Sequence, residues 1–182
     1  MQFETKYVQL ADGRVCKLMP NTSEYAQDMI DYLKKTSAET PFLLRNPDEV
    51  SYTLDAEKAI LDRLYEDPRS VMMVALVDGK VAGNGSINGM GEKRKVRHRC
   101  GLAIALYQEY WRLGIGKAMM EYLTDLAKEI GYKQVELEVV ADNERATALY
   151  KKSGFVEYGR RPKALLFDDG IYHDEILMCK SL

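Results

Sequence analysis

Hydrophobic and polar positions change their period several times along the chain, and each change marks an element. Ile115, Ala118, Met119, Tyr122, Leu123, Leu126, Ala127 and Ile130 recur every three or four residues and are followed by Gly131, which predicts an amphipathic helix entered through Gly114. Val135, Leu137 and Val139 alternate with Gln134, Glu136 and Glu138, the pattern of a strand with one apolar face. The unbroken apolar run Val71–Val77, the turn signal Asp78-Gly79 and residues 80–87 predict a hairpin; its glycines weaken a strand unless another backbone or a ligand approaches closely. Residues 7–10 and 15–19 predict an opening hairpin about Asp12-Gly13, and residues 155–167 and 171–179 a closing one about Asp168-Asp169-Gly170. Residues 102–106 read as a further strand.

Three more helices complete the pattern. Asn21 and Glu24 can form a capping box ahead of Tyr25, Ala26, Met29, Ile30 and Leu33. Thr53 caps a second helix with the stripe Ala56, Ile60, Leu61, Leu64 and Tyr65, ended by Pro68, and Asn143 caps a short one running to Ser153 with Gly154 beyond it. Residues 36–52 lack periodicity and read as a long loop of the kind that carries function. Antiparallel hairpins at both ends with helices between them predict a mixed α/β fold and exclude a purely parallel, doubly wound sheet.

Composition narrows the classes. With 182 residues, 46% hydrophobic and 30% charged, the chain can bury one core, so a single domain over residues 1–182 is expected. No apolar run is long enough to cross a bilayer, and the first residues lack the basic start and apolar stretch of a secretory signal, so a cytoplasmic protein is expected. Cys16, Cys100 and Cys179 suit reduced thiols better than a disulfide framework or a zinc site. Lys and Arg number 26 against 28 Asp and Glu, a net charge of −2 that provides no general field for nucleic acid. The densest basic run, Lys93, Arg94, Lys95, Arg97, His98 and Arg99, comes without aromatic stacking partners and reads as a solvated hairpin. His173 lies far in sequence from any group with metal spacing and reads as structural, so no metal is expected.

A strand, a glycine turn and a helix start together suit an anion, because the first-turn amides are unpaired and the helix dipole is positive there. The Walker-type phosphate loop fails, since it needs glycine at Trp111 and Ser or Thr at Ala118; a dinucleotide fingerprint fails at Met119. What remains is Gly114-Ile115-Gly116. Residues 104–117 resemble the acyl-CoA-binding segment of the GNAT superfamily of N-acetyltransferases, and residues 143–155 resemble its second motif, in the same order. The resemblance is sharp over residues 102–155 and implies a mixed, mostly antiparallel sheet that splays to admit coenzyme A. One departure stands out: where the motif places Gln or Arg, three residues before the first glycine, this chain has Trp111.

The resemblance implies acetyl transfer from acetyl-CoA to a primary amine by direct attack in a ternary complex, with roles for particular residues. Ile104, Ala105 and Leu106 would flank the pantetheine arm, and the Leu106 amide would hold the oxyanion. Backbone groups of Leu113, Gly114, Ile115 and Gly116 would cradle phosphate. Arg112, Lys117 and Lys152 either reach phosphates or stand as solvated surface charges. Tyr150 would act as general acid toward the departing thiolate, and Asn143 would serve as both helix cap and ligand contact. The glutamate that many relatives use as a base aligns with Gly101, which leaves Glu138, Glu39, His98 or a water chain. A small amine such as an amino acid, polyamine or amine antibiotic is the first expectation for the acceptor. A protein N-terminus or lysine is the alternative within the class, and a non-catalytic acyl-CoA sensor the alternative outside it. The exposed hairpins permit a homodimer.

Overall fold

The computed structural model describes residues 1–182. Along the chain come β1 (Lys6–Gln9), β2 (Val15–Pro20), α1 (Ala26–Glu39), α2 (Leu54–Glu66), β3 (Val71–Val77), β4 (Lys80–Gly89), β5 (Arg99–Leu106), α3 (Ile115–Ile130), β6 (Gln134–Val140), α4 (Glu144–Lys152), β7 (Val156–Leu166) and β8 (Tyr172–Ser181). The strands form one sheet in the order β1-β2-β3-β4-β5-β6-β8-β7. Every neighbouring pair is antiparallel except β5 and β6, so the mixed, mostly antiparallel sheet expected from the sequence is present.

The apolar run of β3 has no alternation because both of its faces are covered. Val71, Met73, Ala75 and Val77 join a core under α3 with Met119, Leu123 and Leu126. Val74 and Leu76 point the other way, into a smaller core with Ala26, Met29 and Tyr32 of α1 and Leu61 of α2. The β4 glycines answer the close approach that the sequence demanded. A Cβ at Gly83 would lie 2.8 Å from the Ala105 carbonyl oxygen and closer still to the Leu106 side chain.

Several boundaries differ from the sequence reading. The capping box at Asn21 does not form. The Asn21 N–H donates to the Met72 carbonyl at 2.8 Å, which ties this residue to the sheet, and its buried side chain makes no hydrogen bond. A single 3-10 turn over Ser23–Tyr25 intervenes before α1 begins at Ala26. The helix also runs past residue 36 to Glu39, because the Thr36 hydroxyl donates to the Tyr32 carbonyl at 2.7 Å and the polar residue is absorbed into the helix. Strand β5 begins at Arg99, three residues earlier than expected, since the Arg99 backbone pairs with Gln134 of β6 and its side chain is bonded to Glu136 across the same junction. The Thr53 cap and the Asn143 cap both form, each accepting from a backbone N–H at 3.2 Å. All three cysteines are free, and no helix is long and apolar enough to cross a membrane.

Candidate active site

The parallel pair that joins the two parts of the sheet is short. Arg99, Cys100 and Gly101 pair with Gln134, Val135 and Glu136, and beyond them β5 and β6 separate. Their divergence opens a cavity of about 660 Å³, in the range of small-molecule and cofactor sites. Its walls come from Leu102 to Leu106 of β5, the turn through Trp111, Arg112, Gly114 and Gly116, Glu138 to Val140 of β6, and Asn143, Arg145 and Tyr150 around α4. Thr40, Phe42, Leu43 and Leu44 approach from the α1–α2 loop, and Leu165 and Glu175 from the closing hairpin.

Backbone direction along β5 is set by its neighbours. The Arg99 carbonyl accepts from Met90, and the Tyr107 N–H donates to the Ala82 carbonyl, so odd-numbered residues bond toward β4. The His98 carbonyl accepts from Lys133, so even-numbered residues face β6. Strand alternation therefore turns the peptide groups of Ile104 and Leu106 into the gap, where β6 no longer pairs with them. The Leu106 carbonyl is taken by the Trp111 indole N–H at 3.0 Å, and the Leu106 amide is left facing the cavity.

At the other end of the gap the chain enters α3 through Gly114, whose φ of +94° is left-handed and suits glycine. Gly116 sits against Leu149, where an added Cβ would lie at 3.3 Å, so the turn brings backbone rather than side chain to the cavity wall. These features fit a phosphate-bearing coenzyme: first-turn amides with no acidic residue nearby in the helix's first turn, and a glycine surface against the cleft. Leu113 and Ile115, both expected in the phosphate cradle, are not in the cavity wall, and the Leu113 carbonyl accepts from the Ala11 N–H at 3.3 Å. The Ile115 side chain is in the core and Leu113 packs against it. Lys117 lines the cavity and lies 3.7 Å from Glu121. Lys152 is exposed on α4 and is not part of the cavity wall, so the solvated reading applies to it.

Tyr150 reaches the cavity from α4. Burial pushes its phenol up to about 12, partly offset by the charge of Arg145, so the hydroxyl stays protonated at any physiological pH. A phenol in that state can donate a hydrogen bond to a developing thiolate. It is a poor outright proton donor, because a thiol ionises near 8.5.

The three expected bases separate cleanly. Glu138 lines the cavity, with its carboxylate bonded to Arg161 at 3.0 and 3.1 Å. The Glu39 carboxylate caps the Gln108 N–H at 2.8 Å and is not in the cavity wall. His98 is exposed beyond the paired end of β5, away from the gap. The sequence reading missed Glu175, which lines the cavity and bonds Arg161 at 2.5 Å. In register, Glu175 faces Val140 and Leu177 faces Glu138, so both glutamates share one face of β6–β8. Only the strand pairing reveals this. His173 stacks on Phe167 and bonds Asp142 at 2.5 Å through Nδ1, and no three His, Cys, Asp or Glu side chains are grouped to hold a metal ion.

Over 75 residues the chain is 39% identical to [Ribosomal protein bS18]-alanine N-acetyltransferase of Escherichia coli (strain K12), a match covering 41% of this chain and 50% of that protein. The chain thus spans about half the length of the curated relatives it matches first. The acetyltransferase of GNAT family from Streptococcus pneumoniae superposes with a TM-score of 0.87 at 26% identity, covering 92% of this chain and 99% of that one. The Salmonella typhimurium structure of yncA with its cofactor acetyl-CoA superposes with a TM-score of 0.80 at 15% identity, over 92% of this chain and 94% of that one, a likeness of fold alone. Residues 29–155, which contain the splayed strands, the glycine turn and α4, match the acetyltransferase (GNAT) family, and the chain belongs to that family.

Proposed function

We propose that the chain is an acetyl-CoA-dependent N-acetyltransferase acting on the primary amine of a small molecule, with residues 1–182 working as one catalytic unit. The observation that carries this reading is the single cavity of about 660 Å³ in which the gap-facing Leu106 amide, the Gly114–Gly116 turn, Tyr150 and Glu138 meet. The acetyl-CoA arm would lie along the β5 edge, its phosphates on the first turn of α3 and its thioester between Leu106 and Tyr150. The free amine nitrogen attacks the thioester carbonyl carbon, and the resulting oxyanion accepts a hydrogen bond from the Leu106 amide. Collapse breaks the carbon–sulfur bond. The Tyr150 hydroxyl donates a hydrogen bond to the departing sulfur, which takes its proton from solvent. The proton lost by the amine passes to water or to the Glu138–Glu175 pair.

A compact acceptor is supported by how the acceptor end is roofed. Phe42, Leu43 and Leu44 hang over the cavity, and Asn46 in the same loop donates from Nδ2 to Asp168 of the β7–β8 turn at 3.3 Å, bridging the cleft. A second reading, a peptide N-terminus, draws on the ribosomal-protein-alanine relative and on a recess of about 260 Å³. That recess shares Leu102, Ala103 and Glu138 with the main cavity and extends along Ser86, Asn88 and Tyr158.

The test is release of free CoA from acetyl-CoA with a panel of amino acids, polyamines and amine antibiotics, alongside peptides that begin with alanine, each against an amine-free control. Turnover with small amines supports the proposal, and turnover confined to peptides favours the second reading. Coenzyme binding without thiol release on any acceptor would make the chain a sensor.

A further inference from the structure

Two guanidiniums at the coenzyme end of the cavity have no counter-charge. Arg112 and Arg145 both line it, and none of the molecule's salt bridges includes either. They are close enough to repel. The Arg145 pKa lies below the usual arginine value, first through burial and then through the charge of Arg112. Arg112 is held with φ at +64°, a left-handed conformation that costs a non-glycine residue about 1 kcal/mol or more. Arg145 is in turn held by Trp111: its guanidinium carbon lies 3.0 Å from the indole centroid, and the indole N–H is fixed by the Leu106 carbonyl at 3.0 Å.

A chain of net charge −2 thus keeps two mutually repelling, unpaired cations beside the anion-seeking start of α3, one on strained backbone and one on an aromatic platform. Such an arrangement is stabilised by an anion of more than one charge. Trp111 stands where the family motif places Gln or Arg, so the turn carries no polar side chain there, and the guanidinium of Arg145 from α4 lies over the indole instead.

We propose that Arg145 contacts a phosphate of the coenzyme and that Trp111 is its positioning residue, the pair replacing the polar side chain missing from the turn. This inference rests on the coenzyme reading above. The shared chemistry is a phosphate monoester or pyrophosphate, and the two sources are separable, because dephospho-CoA lacks the 3′-phosphate and keeps the pyrophosphate.

Calorimetric titration of CoA, dephospho-CoA and pantetheine into wild type and variants tests it. Arg145→Gln should weaken CoA by roughly tenfold or more, the worth of one charge-assisted hydrogen bond. An equal loss with dephospho-CoA assigns Arg145 to the pyrophosphate, and a loss with CoA alone assigns it to the 3′-phosphate. Trp111→Leu should reproduce most of that loss, Trp111→Phe should retain affinity by keeping a ring beneath the guanidinium, and Arg145→Lys should restore part of it. The double variant Trp111→Leu with Arg145→Gln should lose little more than either single one, because the two residues act as one unit. Unchanged CoA affinity in Arg145→Gln would overturn the proposal, and so would an equal loss with pantetheine, which carries no phosphate. Wild type that binds no CoA would instead refute the coenzyme reading itself.

Discussion

Glu136 and Arg99 rivet the only parallel junction of the sheet, and removing either partner should have unequal effects. The Glu136 side chain is 7% exposed and accepts from Arg99 Nη2 at 2.7 Å and from Gln134 Nε2 at 2.8 Å, whereas the Arg99 side chain is 36% exposed. Breaking a fully buried pair costs about 3–5 kcal/mol, because the survivor is stranded without water. Here the cost depends on which survivor remains. Arg99→Met leaves a buried carboxylate with only the neutral donors Gln134 and Tyr158, for a loss of about 2–3 kcal/mol after allowing for the partial exposure of the pair. Glu136→Gln keeps an oxygen acceptor and leaves a guanidinium that can turn to solvent, for about 1 kcal/mol. Glu136 has its pKa lowered, chiefly by the hydrogen bond from Arg99. A depressed carboxylate contributes stability that is fully present above its unfolded value, near 4.3, and is lost as pH falls through the folded value. The Arg99→Met penalty should therefore be largest at neutral pH and shrink as pH falls toward the wild-type folded value, because the carboxylate stranded in the variant protonates before the one held by Arg99 in wild type. Urea unfolding of the three proteins at pH 7 and near pH 3 reads both effects. Equal penalties for the two substitutions, or an Arg99→Met penalty independent of pH, would refute this account of the junction.

Tyr150→Phe should lower kcat by up to about a hundredfold with CoA affinity nearly unchanged, and the wild-type rate should show no limb from Tyr150 ionisation below about pH 11; an unchanged kcat with chemistry rate-limiting would return Tyr150 to a packing role. Gly116→Glu should abolish CoA binding in calorimetry while Gly116→Ala keeps most of it, since a Cβ at 3.3 Å from the Leu149 side-chain end asks that flexible group to give by only a few tenths of an ångström, whereas a carboxylate repels phosphate. With Gly101 unable to serve as base, kcat/KM should rise with pH toward each acceptor's own pKa, so two amines of different basicity should give shifted profiles in wild type, Glu39→Gln and His98→Gln. A common inflection for both amines that vanishes in Glu138→Gln or Glu175→Gln would identify an enzyme base instead.

What could be read in the sequence was local. Helix α3, strand β6, the Thr53 and Asn143 caps and the hairpins all declare themselves through period and turn chemistry within a few residues. The glycine turn and Tyr150 were legible because they sit inside two contiguous motifs. The acceptor wall was not, since Glu138, Arg161 and Glu175 meet only after β8 inserts between β6 and β7, and no periodicity reports that pairing. Arg145 escaped for a similar reason: its partner Trp111 lies on the far side of α3 in sequence, and each alone reads as an ordinary surface residue. Asn21 misled because a good cap residue was claimed by a stronger backbone bond to β3.

The three-residue seam between β5 and β6 has a consequence for how such a protein can change over time. The wall proposed for the coenzyme is built almost wholly from β5, the glycine turn and α4, whereas Glu138, Leu165 and Glu175 come from strands across the seam. Few backbone hydrogen bonds cross it, so drift in β7 and β8 propagates weakly into the turn that would hold phosphate. A lineage can then exchange acceptors by remodelling one terminal hairpin while its coenzyme end stays under separate selection. The first residues to vary between close relatives with different acceptors should be Arg161, Leu165 and Glu175.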